Sequence, residues 1–336
     1  MKKIIKLLKT DVKIINSYFL FTIVLIILVC IGYSSYALFS FTKTSTNVIE
    51  GTVGELSTTG TDTLIKLTNN QNESGLYTIT HPADNTLQIG ATESVTEYRY
   101  RGASPKNYVT FNNEVWRIIG VFPTDDGTGN IENRIKIIKN ESIGIKYWDT
   151  SGSNNWARPA TLNTELNGAY LNNYATIAQN MIGNAKYYLG GYNGSNVTVD
   201  TIYQYERKIS GSGTYYYGTN PNSWTGKLAL MYASDYGYAS SNCENKRIYD
   251  YNSSANDIRA CNDTNWLYNI KDNEWILPQN AGTSNRAFYV NSNGHVNYNF
   301  VVYNGQFAVR PVLYLKSAVK ITGGSGTSTN PYTLGL

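Results

Sequence analysis

No charged residue interrupts positions 14–42, and five lysines against one acid, Asp11, stand in residues 1–17 just before or at its start. Residues 18–39 are apolar except for Thr22, Gly32, Ser34 and Ser35. A helix over those positions, rising about 1.5 Å per residue, reaches roughly 33 Å, the depth of a bilayer core. Lysines on its N-terminal side favour a cytoplasmic start. The expectation is an N-terminal transmembrane helix with everything after position 39 outside the cell. Two forms stay open. Residues 19–31 are as short as a signal-peptide core, and Ser35 and Ala37 suit cleavage after Ala37. Against cleavage, residues 1–17 form a basic amphipathic segment on the cytoplasmic side. Ile4, Ile5, Leu8, Val12 and Ile15 share one helical face, and Lys2, Lys6, Lys9 and Lys13 fall largely on the other. Such a helix lies on an anionic inner leaflet. The preferred localisation is the cell membrane, single-pass through residues 18–39 with the C-terminal domain extracellular; the alternative is secretion after cleavage near Ala37.

The formal charge of +4 is carried by residues 1–17, which hold five of the 28 basic and one of the 24 acidic residues. The remainder is balanced. A nucleic-acid partner needs a basic stripe to neutralise phosphates, so none is expected. The outer part is rich in Tyr, Asn, Ser, Thr and Gly, a mixture that makes adaptable contact surfaces and equally a solvated β-rich fold. Cys243 and Cys261 lie outside the apolar segment and suggest a disulfide in an oxidising compartment, with free thiols or metal ligation as the weaker reading. A zinc site needs about four ligands, and the chain has two histidines, His81 and His295. No metal and no cofactor are expected.

Residues 40–95, Ser/Thr/Gly-rich at first, read as a stalk or small β element. Residues 97–101 alternate as a strand, with tyrosines on one face and charges on the other. Residues 107–111 and 114–122 read as a hairpin around Asn112 and Asn113, and residues 134–138 as a further strand. Residues 159–181 carry apolar positions at helical spacing, interrupted at Gly168. Residues 185–189 and 227–232 read as strands. Residues 240–265 read as irregular. Residues 275–278 read as a strand, 287–290 and 295–300 as a hairpin, and 306–315 as a strand whose Pro311 implies an edge or bulge. Residues 321–336 read as a flexible tail after a domain spanning 96–320.

Several of these pieces are shared. Residues 98–101 with Asn107 and Tyr108, residues 114–120 (Glu-Val-Trp-Arg-Ile-Ile-Gly), 188–191 (Tyr-Leu-Gly-Gly), 230–238 (Leu-Met-Tyr-Ala-Ser-Asp-Tyr-Gly-Tyr), 309–316 (Val-Arg-Pro-Val-Leu-Tyr-Leu-Lys) and 323–334 carry the likeness. On these the chain resembles an uncharacterised family of bacterial cell-surface proteins, mostly from low-GC Gram-positive lineages, over about residues 96–334. Its C-terminal pattern is also similar to the C-type-lectin-like fold shared with the formylglycine-generating-enzyme group. That resemblance implies an α+β domain with twisted antiparallel sheets, one or two helices and long loops. It does not carry chemistry over: the calcium-site tripeptides of the sugar-binding lectins are missing, and the catalytic cysteine pattern of the formylglycine enzymes is not recognisable.

Four residues stand out as ligand-binding candidates. Arg310, between an apolar strand and Pro311, reads either as a carboxylate clamp or as an arginine packed under loops and paired with an acid. Trp148, Trp156 and Trp224 lie in polar Asn/Ser/Gly-rich loops and could line a sugar-stacking groove, although such rings more often fill a core. Glycoside hydrolysis would need two carboxylates across a cleft, for which Glu206, Asp235 and Glu274 are available. A Cys–His hydrolase built on Cys261 and His295 competes with the disulfide. No catalytic residue is assigned. The expected function is extracellular, noncatalytic binding or adhesion on a bacterial surface, the ligand being a protein, glycan or wall component. The alternatives are a fibre or pilus-associated subunit, with residues 51–95 as assembly element, and a carbohydrate-active hydrolase.

Overall fold

The computed structural model describes residues 58–69, 75–194, 197–248, 255–269, 271–303 and 307–336. The transmembrane expectation for residues 18–39 and the basic segment before it lie outside these. Among the described residues no helix is long and apolar enough to cross a membrane. Thr59–Leu336 forms one compact unit, a sheet-rich α+β body built on antiparallel strands.

Its main sheet has seven strands. Asn112 and Asn113 have φ of 52° and 59°, the left-handed conformation that a tight two-residue hairpin requires and that asparagine adopts more readily than most residues. They join β3 (Tyr108–Phe111) to β4 (Glu114–Asp125), with Phe111 opposite Glu114. β4 is twelve residues long and buried on both faces through Trp116–Phe122. It therefore lies inside the sheet, between β2 (Val95–Tyr100) and β5 (Ile131–Lys139). Gly120 lets β2 approach, since a Cβ there would lie 2.1 Å from the Tyr98 carbonyl oxygen. β1 (Leu76–His81) pairs outside β2, and β13 (Val312–Tyr314) and β8 (Leu228–Ala229) extend the sheet past β5. A second, four-stranded sheet contains β9 (Asn273–Gln279), β10 (Arg286–Val290), β11 (Val296–Phe300) and β12 (Phe307–Ala308). A smaller pair, β6 (Ala185–Tyr188) with β7 (Ser223–Gly226), leads into Gly191, where a Cβ would strike the Gln279 carbonyl oxygen at 1.8 Å.

The chain passes from the second sheet to the main one between β12 and β13, through Val309, Arg310 and Pro311. Proline has no N–H to give a ladder; here its carbonyl accepts from the Lys139 N–H at 3.0 Å. The expected edge-or-bulge position is thus a switch between sheets.

Helices are short pieces of four to ten residues. They are α1 (Gly60–Ile65), α2 (Thr161–Glu165), α3 (Thr176–Met181), α4 (Val199–Glu206), α5 (Ala233–Tyr238), α6 (Ser241–Glu244) and α7 (Ala255–Thr264). Gly168 breaks the apolar-periodic stretch, with φ −108° and ψ −106° inside a π-helical turn after α2. The cysteine-bearing region read as irregular contains α6 and α7 among its described residues, joined by the Cys243–Cys261 disulfide, Cα–Cα 4.9 Å.

Two boundaries move. Residues 40–95, expected as a stalk or small β element, belong to the compact unit from Thr59 onward: Thr59 caps α1 in a reciprocal box with Asp62, and β1 pairs with β2 in the main sheet. The expected flexible tail is also ordered. β14 (Lys320–Gly323) pairs with β15 (Thr333–Gly335), and the Tyr332 N–H donates to the Tyr108 carbonyl at 2.9 Å. Backbone pairing to β3 holds this segment, a contact that its Gly/Ser/Thr composition does not reveal.

Candidate functional site

Charge enters the interior in two places, with different outcomes. The first lies across β2, β4 and β5. Tyrosines and charges do alternate on β2, yet the charged face is the buried one: Glu97 and Arg99 point inward and Tyr98 is half-buried. Arg99, Gly120 and Lys136 stand abreast in register, so no side chain separates the two cations. Asp235, in the first turn of α5, bridges them. Its Oδ1 accepts from Arg99 Nη1 at 2.8 Å, and its Oδ2 pairs with Lys136 Nζ and accepts the Tyr232 N–H at 2.9 Å. Arg99 Nε donates to Glu97 at 2.8 Å. Beside them Glu206 accepts from the Ser234 N–H at 3.0 Å and from Arg207 Nη1 at 3.0 Å.

Each cation also lies over a ring: Arg99 over Phe122 at 4.5 Å, Lys136 over Tyr232 at 4.4 Å, Arg207 over Tyr203 at 3.6 Å. Burial acts to raise the Glu97 and Asp235 carboxyls, but their cationic partners outweigh it and hold both below the ordinary range. His81, on β1, stacks on Tyr203 at 3.6 Å and reaches Glu97 and Asp200 at 3.4 Å. Burial opposes its proton, while Asp200 and Glu97 favour it and raise its pKa above 6.5.

The second place is a cleft of about 250 Å³. Arg117 of β4 and Arg310 of the crossing between sheets form its charged wall; Trp266 and Tyr268, just after α7, form an aromatic one. The loop after β5 brings Asn140 and Glu141, and Asp272 stands before β9. Arg310 makes a bidentate pair with Glu274, Nε at 2.9 Å and Nη2 at 2.7 Å, and Nη2 also donates to the Leu267 carbonyl at 2.8 Å.

Arg117 is 8 % exposed and has no carboxylate partner among the described residues. Its Nε and Nη2 donate to Asn107 Oδ1 at 2.8 and 2.7 Å, while Asn107 donates to the Ile118 carbonyl at 2.9 Å. Tyr108 and Trp266 cover the guanidinium at 4.2 and 4.5 Å. Burial, aided by the nearby Arg310, pulls its pKa down to about 10. A cation so held is rigid, still charged at neutral pH, and short of a negative charge.

Of the residues singled out in the sequence, only Arg310 reaches this cleft, and it is paired with an acid. Trp148 and Trp156 are not surface residues: they are 0 % and 2 % exposed. They stack edge to face at 5.2 Å, and the half-buried Trp224 meets Trp156 at 6.3 Å. The polar residues around them turn the loop inward instead of solvating it. Asp149 accepts the Ser153 and Thr161 N–H groups at 2.9 Å, and Asn154 Nδ2 donates to three carbonyls, those of Asn280, Thr283 and Arg286, at 2.7–2.9 Å. Glu206 and Asp235 belong to the interior network and Glu274 to Arg310, so the acids considered for hydrolysis do not face one another across a cleft. Arg117 was overlooked. Its signal is a charge inside an otherwise apolar run, Val115-Trp116-Arg117-Ile118-Ile119. Among the described residues no group of three or more His, Cys, Asp or Glu side chains could hold a metal ion. The chain matches no protein-family model, no curated protein and no solved structure.

Proposed function

We propose that this chain is a noncatalytic binding protein displayed outside a bacterial cell, and that the Arg117–Arg310 cleft holds an anionic group of its ligand. One observation carries the reading: a nine-tenths buried guanidinium, fixed by Asn107, Tyr108 and Trp266, has no carboxylate partner among the described residues and borders open space. A charge buried without a partner is unfavourable for folding alone, and a ligand anion supplies what is missing. The Cys243–Cys261 disulfide is compatible with an oxidising compartment, and the apolar segment 18–39 supports outward display. The C-type-lectin-like assignment is retained as part of this proposal, supported by the antiparallel α+β body with long loops.

The test is binding of the full chain, solubilised in mild detergent, to arrayed glycans, wall fragments and peptides at low and high salt. Binding that weakens with salt and is lost in Arg117→Met supports the reading. Turnover of a polysaccharide or peptide, abolished by one acidic substitution, overturns it.

A further inference from the structure

We infer that the group taken up beside Arg117 is the carboxylate of an acidic sugar residue. This rests on the binding reading and adds the ligand class.

The first ground is the donors. Nη1 of Arg117 and Nη1 of Arg310 make no hydrogen bond among the described residues, and both arginines line the cleft. Their other guanidinium nitrogens are committed to Asn107, Glu274 and Leu267. Two fixed N–H-bearing groups without acceptors suit a small, planar, singly charged oxyanion. The second ground is the rim. Glu141 and Asp272 border the same space, and they are acceptors only. A polyphosphate chain would bring its charge against both. A sugar acid brings one carboxylate for the arginines and several hydroxyl donors for the acids and for Asn140. The third ground is shape. Tyr268 is half-buried, anchored by its hydroxyl to the Ser292 carbonyl at 2.7 Å. Its ring gives a rigid apolar wall for the C–H face of a pyranose. The cavity, about 250 Å³, is small for a ligand site, since pockets for drug-sized molecules span about 300–1,000 Å³; one sugar residue of a longer chain matches it better than a peptide segment.

Calorimetric titration of the full chain in detergent decides the matter with four probes: a uronic-acid oligosaccharide, the same oligosaccharide with its carboxyls reduced to hydroxymethyl groups, a glycerol-phosphate polymer, and a peptide with a free C-terminal carboxylate. The uronate is expected to bind, and carboxyl reduction to weaken it about ten- to hundred-fold, the worth of a charge-assisted hydrogen bond or two. That comparison uses the unaltered protein, so it does not depend on a variant folding. Arg117→Met should lower uronate affinity by a similar factor, with an unchanged circular dichroism spectrum. Should the phosphate polymer or the peptide bind through Arg117 while the uronate does not, the sugar assignment fails and the anion-binding reading stands. If none of the charged probes binds, both fail. Equal binding of the oligosaccharide before and after reduction overturns the role of the carboxylate.

Discussion

Two buried arginines on neighbouring strands, Arg99 of β2 and Arg117 of β4, behave differently. Arg99 lies among Glu97, Asp235 and Lys136, with Arg207 and Glu206 alongside, and each of the three cations has its own carboxylate. Arg117 has an amide, two rings and a second arginine for company. Both are immobile and both are nearly dry. The balanced cluster is closed: every charge is answered from within the chain, so it specifies how β1, β2, β5, α4 and α5 fit together. The cleft is open: Arg117 borders it with no carboxylate partner among the described residues. Burial alone therefore does not single out a candidate binding residue; burial without a carboxylate partner, at the edge of a cavity, does.

The largest effect should come from the closed cluster. Arg99→Met leaves Glu97 buried without its main partner and Asp235 with Lys136 alone, and should cost about 3–5 kcal/mol, read as a lowered urea midpoint. If it costs no more than Arg117→Met, the contrast is broken. Replacing Cys243 and Cys261 together by serine removes a cross-link over 18 residues of chain and should cost about 3 kcal/mol. The same urea series measures it, and ligand affinity should fall as well. Arg117→Met removes an unanswered charge but strands Asn107; these oppose each other, and the net change should stay within about 1 kcal/mol. A loss as large as that of Arg99→Met would mean that Arg117 is a structural residue.

The smallest effect is one of pH. His81 has a raised folded pKa, so its contribution is fully present below the unfolded value of about 6.5 and disappears as pH rises through the folded value. The urea midpoint should fall modestly between about pH 6 and 8, and His81→Gln should flatten that slope. Glu97 acts in the opposite sense. Its lowered pKa gives stability present above the ordinary carboxylate value and lost as pH falls through the folded one.

The local elements were legible wherever a short-range rule decides them. The Asn112-Asn113 hairpin, the break at Gly168 and the 286–300 hairpin follow from turn chemistry and spacing. What sequence left open was which side of an alternating strand is wet. On β2 the charges face inward because Asp235, 136 residues further on, meets Arg99 there. For Trp148 and Trp156, whose polar loops leave both groove and core open, the core wins because the polar neighbours spend their hydrogen bonds on distant carbonyls. Helix α4 is only eight residues long, and its inward face, Val199, Ile202, Tyr203 and Glu206, ends in a charge, so its apolar periodicity spans a single turn. The cleft was half legible. Arg310 stands out beside Pro311, whereas Arg117 is one polar position in a hairpin strand, and only the fold shows that no carboxylate among the described residues pairs with it.

The bond between α6 and α7 reaches further than the helices it joins. Asn265 donates to Cys243 Sγ at 3.4 Å, its Oδ1 takes the Leu267 N–H at 2.9 Å, and the Leu267 carbonyl steadies Arg310 at 2.8 Å. The disulfide is thus linked by hydrogen bonds to the segment that carries Trp266 and Tyr268. On the binding reading proposed above, a chain with both thiols reduced would hold this side of the cleft less firmly and take up its ligand less tightly.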